Sequence, residues 1–446
     1  MFLRYSNQLV HINTMPGRRL YSMCAMAVEY GFTHLWIMPG VCVPDKEWFF
    51  EAAACLDWDL LPTWQWGEDD ALANEFATDL NLLVSCTGCR RPKGGQHWFT
   101  IIFVAQTQWS WATDDLTSAR LLEIVGNLET SLGVPVAAGP TTVGTKLLQK
   151  IHAKRPTLLA APHTDLSEIP FAQAARDLRW ERPLTIAELA STYLHKFDKN
   201  SAYLRSCQEE YVGVGEPEHL TTSHVYTANN DICLPGIYKI QLRHMREESL
   251  LPPPLWKDAE WVAAPILKML LKYGAIVSAE EAWLFPSTAR TLRPWAEKLW
   301  DSRLAFKQAG KQEEADGIKD IAASTAGLFN SEKLKGTWKY RPDWWSQIVG
   351  GTWAMMFYNM LKFAAESGAY PVMAYTDSLF YISDEKLPGE AVRGILSHQN
   401  SLGGYRHEWT LPLQEPDVRD AIDSNAPLNL KIGVLNDLAE EYYEHD

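Results

Sequence analysis

Val372-Met373-Ala374-Tyr375-Thr376-Asp377-Ser378-Leu379-Phe380-Tyr381-Ile382 places apolar residues on both sides of a short polar centre. That pattern predicts a β-hairpin with one carboxylate at its turn. Taken alone, the aspartate is a turn former, because its side chain can bond nearby backbone. A second stretch changes the reading. Tyr193-Leu194-His195-Lys196-Phe197-Asp198-Lys199-Asn200-Ser201-Ala202-Tyr203-Leu204 is another apolar approach that ends in a carboxylate. Two carboxylates at strand ends, far apart in sequence, are what a divalent-metal site needs. Magnesium takes hard oxygen ligands, usually one or two carboxylates plus substrate phosphates.

The chain has 446 residues, enough for two or three domains and a sizeable core. Its 19 tryptophans supply large anchors for core or interfaces. A formal net charge of −14 excludes a surface that holds nucleic acid by overall charge, so any such site must be a local basic groove. No apolar run reaches the roughly 18 residues of a membrane span. Met1-Phe2-Leu3-Arg4-Tyr5 lacks signal-peptide architecture. Seven cysteines, an odd count in a long chain, point to a reducing compartment. The expectation is a cytoplasmic protein with no membrane partner.

In the first part of the chain, Thr33 to Met38 reads as a strand ended by Pro39-Gly40, and Asp45 to Cys55 as helical. Trp98 to Ala105 reads as a strand and Leu116 to Leu132 as an amphipathic helix. Cys86-Thr87-Gly88-Cys89, with His97 nearby, allows a structural zinc, but no clear fourth ligand follows. A Gly-rich exposed turn is the preferred reading. Gly139-Pro140-Thr141-Thr142-Val143-Gly144-Thr145-Lys146 has the look of a phosphate loop, yet Thr precedes Lys where the motif needs the reverse. A helix start at Thr141 is predicted instead. Residues 1–190 thus predict an α/β domain.

Further on, Gly236 to Leu242 alternates like a half-exposed strand, and Leu251-Pro252-Pro253-Pro254 reads as a rigid linker. Val262 to Tyr273 predicts a helix and Ala275 to Val277 a short strand. A long helical pattern runs from Leu292 to about Ala309, breaks at Gly310, and is followed by a second helix carrying Lys319. Arg303 and Lys307, four apart, project from one face. These three cations have two readings: a solvated helical face, where most Lys and Arg sit, or a helical hairpin aimed at a triphosphate near the two aspartates.

The order and spacing of these stretches resemble a family B DNA polymerase, in particular the small protein-primed type of phages and mobile elements. Motif A of that family, Asp-x-x-Ser-Leu-Tyr-Pro, is similar to Asp198-Lys199-Asn200-Ser201-Ala202-Tyr203-Leu204. Motif B, Lys-x-x-x-Asn-Ser-x-Tyr-Gly, is similar to Lys319 followed by Ala323-Ser324-Thr325-Ala326-Gly327. Motif C, Tyr-x-Asp-Thr-Asp-Ser, is similar to Met373-Ala374-Tyr375-Thr376-Asp377-Ser378. The match covers roughly residues 190 to 385.

The resemblance implies an α/β fold with an α+β palm: a right-hand polymerase with helical fingers at about 290–330 inside a palm-and-fingers region of 191–390. It also implies a reduced thumb at 391–446 and a degenerate, RNase H-like exonuclease domain at 1–190. By position, Asp198, Asp377 and the backbone carbonyl of Lys199 would hold two Mg²⁺ or Mn²⁺ ions for nucleotidyl transfer. Arg303, Lys307 and Lys319 would neutralise the triphosphate, with Ser201 and Ser324 assisting. Tyr203 would stack under the sugar and exclude a 2′-hydroxyl. Implied partners are dNTPs, a DNA primer-template or single strand, and a protein such as a terminal protein or a second copy.

Three departures matter. Tyr375 stands where the family has the first motif C aspartate, and Ala323 and Ala326 replace the motif B Asn and Tyr, which implies a roomier nucleotide pocket and lower fidelity. The strand before Gln106-Thr107-Gln108 carries no Asp-x-Glu pair, so no proofreading is expected. Two functions therefore stand side by side: an active polymerase, and an inactive relative serving as a nucleic-acid-binding or scaffold subunit.

Overall fold

The computed structural model describes residues 2–5, 8–11, 34–37, 59–60, 87–90, 98–103, 109–113, 115–136, 139–175, 177–226, 233–244, 250–252 and 260–444. Its longer elements run in chain order as follows. Strands β1 (Phe2–Tyr5), β2 (Gln8–His11), β3 (His34–Ile37), β4 (Asp59–Leu60), β5 (Thr87–Arg90) and β6 (Trp98–Phe103) precede helices α1 (Ser118–Leu132) and α2 (Pro140–Ile151). Strands β7 (Arg179–Glu181) and β8 (Tyr193–Lys199) lead into helix α3 (Ala202–Glu209). Next come β9 (Val212–Val214), β10 (Glu218–Tyr226), β11 (Gly236–His244), β12 (Glu260–Ala263), helix α4 (Ala264–Lys272), β13 (Ile276–Leu284) and β14 (Ser287–Ala289). Helices α5 (Arg293–Gln308), α6 (Gln312–Leu328) and α7 (Pro342–Ser367) follow. The chain ends with β15 (Met373–Tyr375), β16 (Ser378–Ser383), β17 (Tyr405–Pro412) and helices α8 (Pro416–Asp423) and α9 (Leu428–Glu444).

The chain divides into two compact units, Met1–Lys150 with Asp301–Thr325, and Ile151–Trp300 with Ala326–Asp446. In the first, six strands form a mixed sheet in the order β2-β1-β3-β6-β5-β4. Only β3 and β6 run parallel; the other neighbours are antiparallel. Of the Gly-rich stretch from Cys86 to Gly95 read as an exposed turn, Thr87-Gly88-Cys89-Arg90 forms β5, paired with β6, and Arg91 to Gly95 lie outside the described residues. Cross-strand hydrogen bonding overrides the turn propensity of Gly88. Cys86 and His97, the helix at Asp45 to Cys55, the tripeptide Gln106-Thr107-Gln108, and Pro253 and Pro254 of the expected linker all lie outside the described residues.

Helix α1 starts where Thr117 accepts a hydrogen bond from the Arg120 N–H and stops at Gly133, which is left-handed at φ 67°. Its buried residues Leu121, Ile124, Val125, Leu128 and Leu132 fall on one helical face. The inserted segment 301–325 packs on this helix and on α2. A side chain on Gly144 would collide with Thr325. Arg120 reaches both Glu313 (2.8 Å) and the fully buried Glu314 (2.7 Å), and Ser110 donates to Asp320 (2.8 Å). The predicted break at Gly310 is present, with φ 69°.

The second unit holds a five-stranded antiparallel sheet, β17-β8-β16-β15-β7, and a four-stranded one, β10-β13-β11-β12. One core joins Phe197, Leu379, Tyr381 and Tyr405 of the first sheet to α4 and α7 and to the inner face of the second sheet. A second core covers the other face, where Leu194, Phe380, Trp409 and Leu411 pack on Val418, Ile432 and Leu435 of α8 and α9. Residues 391–446, expected as a reduced thumb, thus supply an edge strand and two helices to the same unit. The helix predicted from Val262 begins two residues later, because Trp261 and Val262 pair with Lys239 and Tyr238 in β12–β11. The strand expected at Ala275 to Val277 starts at Ile276 and runs nine residues as β13.

Helix α7 is apolar on most of its circumference and is buried accordingly. Its N-terminus rests on a buried ion pair, Arg341 to Asp343 at 2.6 Å, with side-chain exposures of 0% and 2%. Arg341 also donates to the Gly213 carbonyl (2.7 Å) and lies over the Trp344 ring (4.1 Å). Replacing Arg341 by leucine strands the Asp343 carboxylate without a counter-charge. Equilibrium urea unfolding of Arg341→Leu is expected to show a loss of about 3–5 kcal/mol, with part of it recovered in the Arg341→Leu/Asp343→Leu double variant.

Candidate functional site

The register of the five-stranded sheet makes the site. β8 and β16 pair antiparallel with Asp198 opposite Ser378. One step beyond, the Lys199 N–H donates to the Asp377 carbonyl at 2.9 Å. The two aspartates, 179 residues apart in the chain, therefore stand at the same end of neighbouring strands. Both approaches end in a strained residue: among the described residues the non-glycine positions with positive φ are Ser201 (53°) and Thr376 (51°). Left-handed backbone costs a residue with a Cβ of order 1–3 kcal/mol and persists where the surroundings impose it, commonly at functional sites. Thr376 is pinned by its N–H to the Leu178 carbonyl (2.7 Å), and its hydroxyl donates to the Asp377 carboxylate (2.9 Å). Ser201 precedes helix α3, which presents Tyr203 in its first turn.

Asp198 is the electrostatic centre. Its side chain is 17% exposed. It accepts from the Ser378 hydroxyl (3.3 Å) and pairs with Arg406 at 3.0 Å. Burial first, then the charges of Asp377 and Glu408, push its carboxyl up to about 7, against the opposing pull of Arg406 and Lys196. Arg406 also meets Glu408 (2.7 Å), and Glu408 in turn meets Lys196 (2.8 Å). Strand alternation puts Lys196 and Asp198 on one face. A cleft of about 590 Å³ lined by Lys196, Arg406, Trp409, Asn436 and Tyr443 opens along that face. On the opposite face Lys199 is buried with its Nζ 4.3 Å from the Tyr405 ring centroid. Burial lowers its pKa to about 7, helped by Arg205 and opposed by Asp377.

Tyr203 is half-buried. Its hydroxyl donates to Asp177 Oδ1 at 3.1 Å, and its ring lies 5.9 Å from that of Trp345. Of the other residues singled out in the sequence, Arg303 and Lys307 on α5 and Lys319 and Ser324 on α6 belong to the first compact unit. Arg303 is only 5% exposed, so the solvated-face reading fails for it. Lys319 is exposed, while Lys307 and Ser324 are half-buried. Ala323 is exposed, but Ala326 is buried, so its small side chain is packed over rather than left open.

The sequence reading missed Asp177, Arg179, Arg406 and Glu408. Arg406 and Glu408 sit in β17, whose register against β8 shifts between His407 and Trp409 and whose pairing with β8 shows only in the fold. Lys196 was within reach of strand alternation.

Hard-oxygen chemistry is what this arrangement offers a divalent cation. The raised Asp198 pKa marks a place where two carboxylates repel in partial burial, a cost that a bound cation relieves. Among the described residues no cluster of three or more His, Cys, Asp or Glu side chains is arranged to hold a metal ion. An ion here would draw on two carboxylates and complete its shell with backbone carbonyl, water and substrate oxygens. Among the described residues no helix is long and apolar enough to cross a membrane.

No protein-family model and no curated protein sequence matches the chain. Among solved structures, it is similar to phi29 DNA polymerase over 73% of its length. The orthorhombic crystal form aligns with a TM-score of 0.47 at 13% identity, covering 68% of that chain. The post-translocation binary complex with primer-template DNA aligns with a TM-score of 0.48 at 13% identity, covering 67% of that chain. The ternary complex with primer-template DNA and incoming nucleotide aligns with a TM-score of 0.47 at 14% identity, covering 68% of that chain.

The raised carboxyl makes a pH-dependent prediction. Native Asp198 holds its proton up to about pH 7, whereas in the unfolded chain it releases it near the ordinary 3.8. The native state binds more protons between those values, so stability falls as pH rises through that window. Asp198→Asn removes this slope. Without divalent metal, the Tm advantage of the variant is expected to grow from about pH 4 to about pH 7 and then level off. An advantage independent of pH would contradict the assignment.

Proposed function

We propose that this chain is a DNA polymerase-type nucleotidyltransferase that adds dNTPs to a 3′-hydroxyl, or to a protein hydroxyl, without proofreading. The observation that carries the reading is the β8–β16 register, which brings Asp198 and Asp377 to the same end of two strands, with a strained residue beside each, Ser201 after β8 and Thr376 before β16. Asp198, Asp377 and the backbone carbonyl of Lys199 would hold Mg²⁺ or Mn²⁺. Such ions stabilise the attacking and leaving oxygens of an in-line displacement at phosphorus. The residues of the chain have separate tasks. Ser378 and Thr376 orient the two carboxylates. Arg406 holds Asp198 in place and can shift its hydrogen bonds toward Glu408, already at 2.7 Å, when a cation takes the carboxylate. Tyr203 closes the side of the site toward the sugar. Ser201 serves the triphosphate in this reading. DNA, as primer-template or single strand, and a protein partner complete it; the net charge of −14 makes unaided grip on DNA weak.

One observation favours the second reading, a scaffold or nucleic-acid-binding subunit without catalysis. Arg406 already pairs with Asp198 at 3.0 Å, on the carboxylate that a cation would take.

Nucleotide incorporation by the purified protein separates the two. dNTPs with Mg²⁺ or Mn²⁺ are offered with primed template, with single strand alone and with no nucleic acid. The polymerase reading expects incorporation that falls at least about a hundredfold in Asp377→Ala, in line with loss of a charge-positioning group. Absence of incorporation in every condition, together with no thermal stabilisation by a dNTP, supports the scaffold.

A further inference from the structure

The position where the polymerase pattern has an additional aspartate is Tyr375, and its surroundings give that residue a task. β15 pairs with β7 so that Tyr375 faces Arg179. The Arg179 guanidinium lies 5.5 Å from the Tyr375 ring centroid. A π face attracts a guanidinium without consuming its N–H groups. Those remain available to Asp177, whose Oδ2 is 3.5 Å from Arg179 Nη2. The other oxygen of Asp177 accepts the Tyr203 hydroxyl at 3.1 Å. On its far side the Tyr203 ring meets Trp345 at 5.9 Å and 31°. Tyr375, Arg179, Asp177, Tyr203 and Trp345 thus form a bracket of successive contacts.

The bracket stands at the aspartate pair. The Thr376 N–H to Leu178 carbonyl bond (2.7 Å) ties the residue before Asp377 to the residue between Asp177 and Arg179. The charge of Asp377 is felt at the Tyr203 hydroxyl, after burial and Asp177 itself. Stability is a poor reason for such a bracket. Asp177 and Arg179 are 32% and 61% exposed, and exposed ion pairs contribute at most about 1 kcal/mol. Its effect is to fix a ring.

We infer that Asp177 is a positioning residue which, braced by Arg179 on Tyr375, holds the Tyr203 ring against the site and so sets the preference for a deoxyribonucleotide over a ribonucleotide. This rests on the nucleotidyltransferase reading above. The phenol spends its one proton on Asp177, and a ring held in one rotamer excludes volume that a turning ring would yield. A 2′-hydroxyl brought there meets carbon where it needs a hydrogen-bond partner, and an unpaired buried hydroxyl is costly. Freeing the ring removes the exclusion.

The test compares kcat/KM for dATP and for ATP in the wild type, Asp177→Ala, Asp177→Asn, Tyr203→Phe and the Asp177→Ala/Tyr203→Phe double variant. Thermal stabilisation by each nucleotide with Mg²⁺ is measured alongside. The wild type is expected to prefer dATP. Asp177→Ala and Tyr203→Phe should each lower the dATP/ATP ratio about tenfold, through KM for ATP. The double variant should lose no more than either single one, because both remove the same hydrogen bond. Asp177→Asn keeps an acceptor oxygen and should retain most of the preference. If Asp177→Ala fails to fold, Tyr203→Phe, which preserves the ring, decides. A wild type that neither incorporates nor is stabilised by either nucleotide overturns the nucleotidyltransferase reading and this inference with it. A wild type that uses nucleotides without preferring dATP, or variants that keep the full preference, overturn this inference alone.

Discussion

The register of β8 against β16, continued past the ladder by the hydrogen bond from the Lys199 N–H to the Asp377 carbonyl, is what the site depends on. Side chains alternate along a strand, so a slip of one residue would send Asp198 to the face now occupied by Phe197. It would also drive Phe197 out of the core it shares with Tyr381 and Leu379. The apolar residues on both faces of the sheet therefore select the register, and the aspartates follow from it. Neither carboxylate could enforce its own position, since together they repel.

That repulsion is managed by neighbours. Arg406 and Lys196 oppose it, Glu408 links the two cations, and Ser378 gives Asp198 a hydrogen bond. The left-handed backbone at Ser201 and Thr376 adds a further local cost, which the packing of α4 and α7 on one face of the sheet and α8 and α9 on the other offsets. A sheet buried on both faces tolerates a strained, charged rim because the strain is small beside the apolar area holding its strands. The same packing keeps Arg341 and Asp343 paired at the start of α7, away from the site.

Much of this was legible in local sequence. The hairpin at Asp377, the strand and helix around Asp198, α1 and the helical pair about Gly310 all follow from periodicity, capping and turn residues. The approach of the two aspartates was a consequence of their both ending apolar strands. What stayed hidden was whatever depends on partners distant in the chain. Thr87 to Arg90, at the start of the stretch read as a Gly-rich turn, is made a strand by pairing with β6. Tyr405 to Pro412 gives no local sign that it borders β8, so Arg406 could not be placed beside Asp198. Asp177 precedes a three-residue strand too short to carry a periodic signal. Arg303 allowed two readings by type and spacing, a solvated face or a triphosphate contact, and only tertiary packing shows it buried.

The first compact unit takes residues 301–325 from late in the chain to finish its interior. That has a consequence for synthesis. Gly144 of α2 waits for Thr325, and Arg120 of α1 waits for Glu314, a residue with no exposed surface. At roughly 5–20 residues per second, the ribosome needs on the order of ten seconds or more between those two parts. Throughout that interval the apolar stripe of α1 and the flank of α2 have been made and their covering segment has not. Such an interval is the kind that chaperones attend, because Arg120 and Gly144 stand without these partners throughout it.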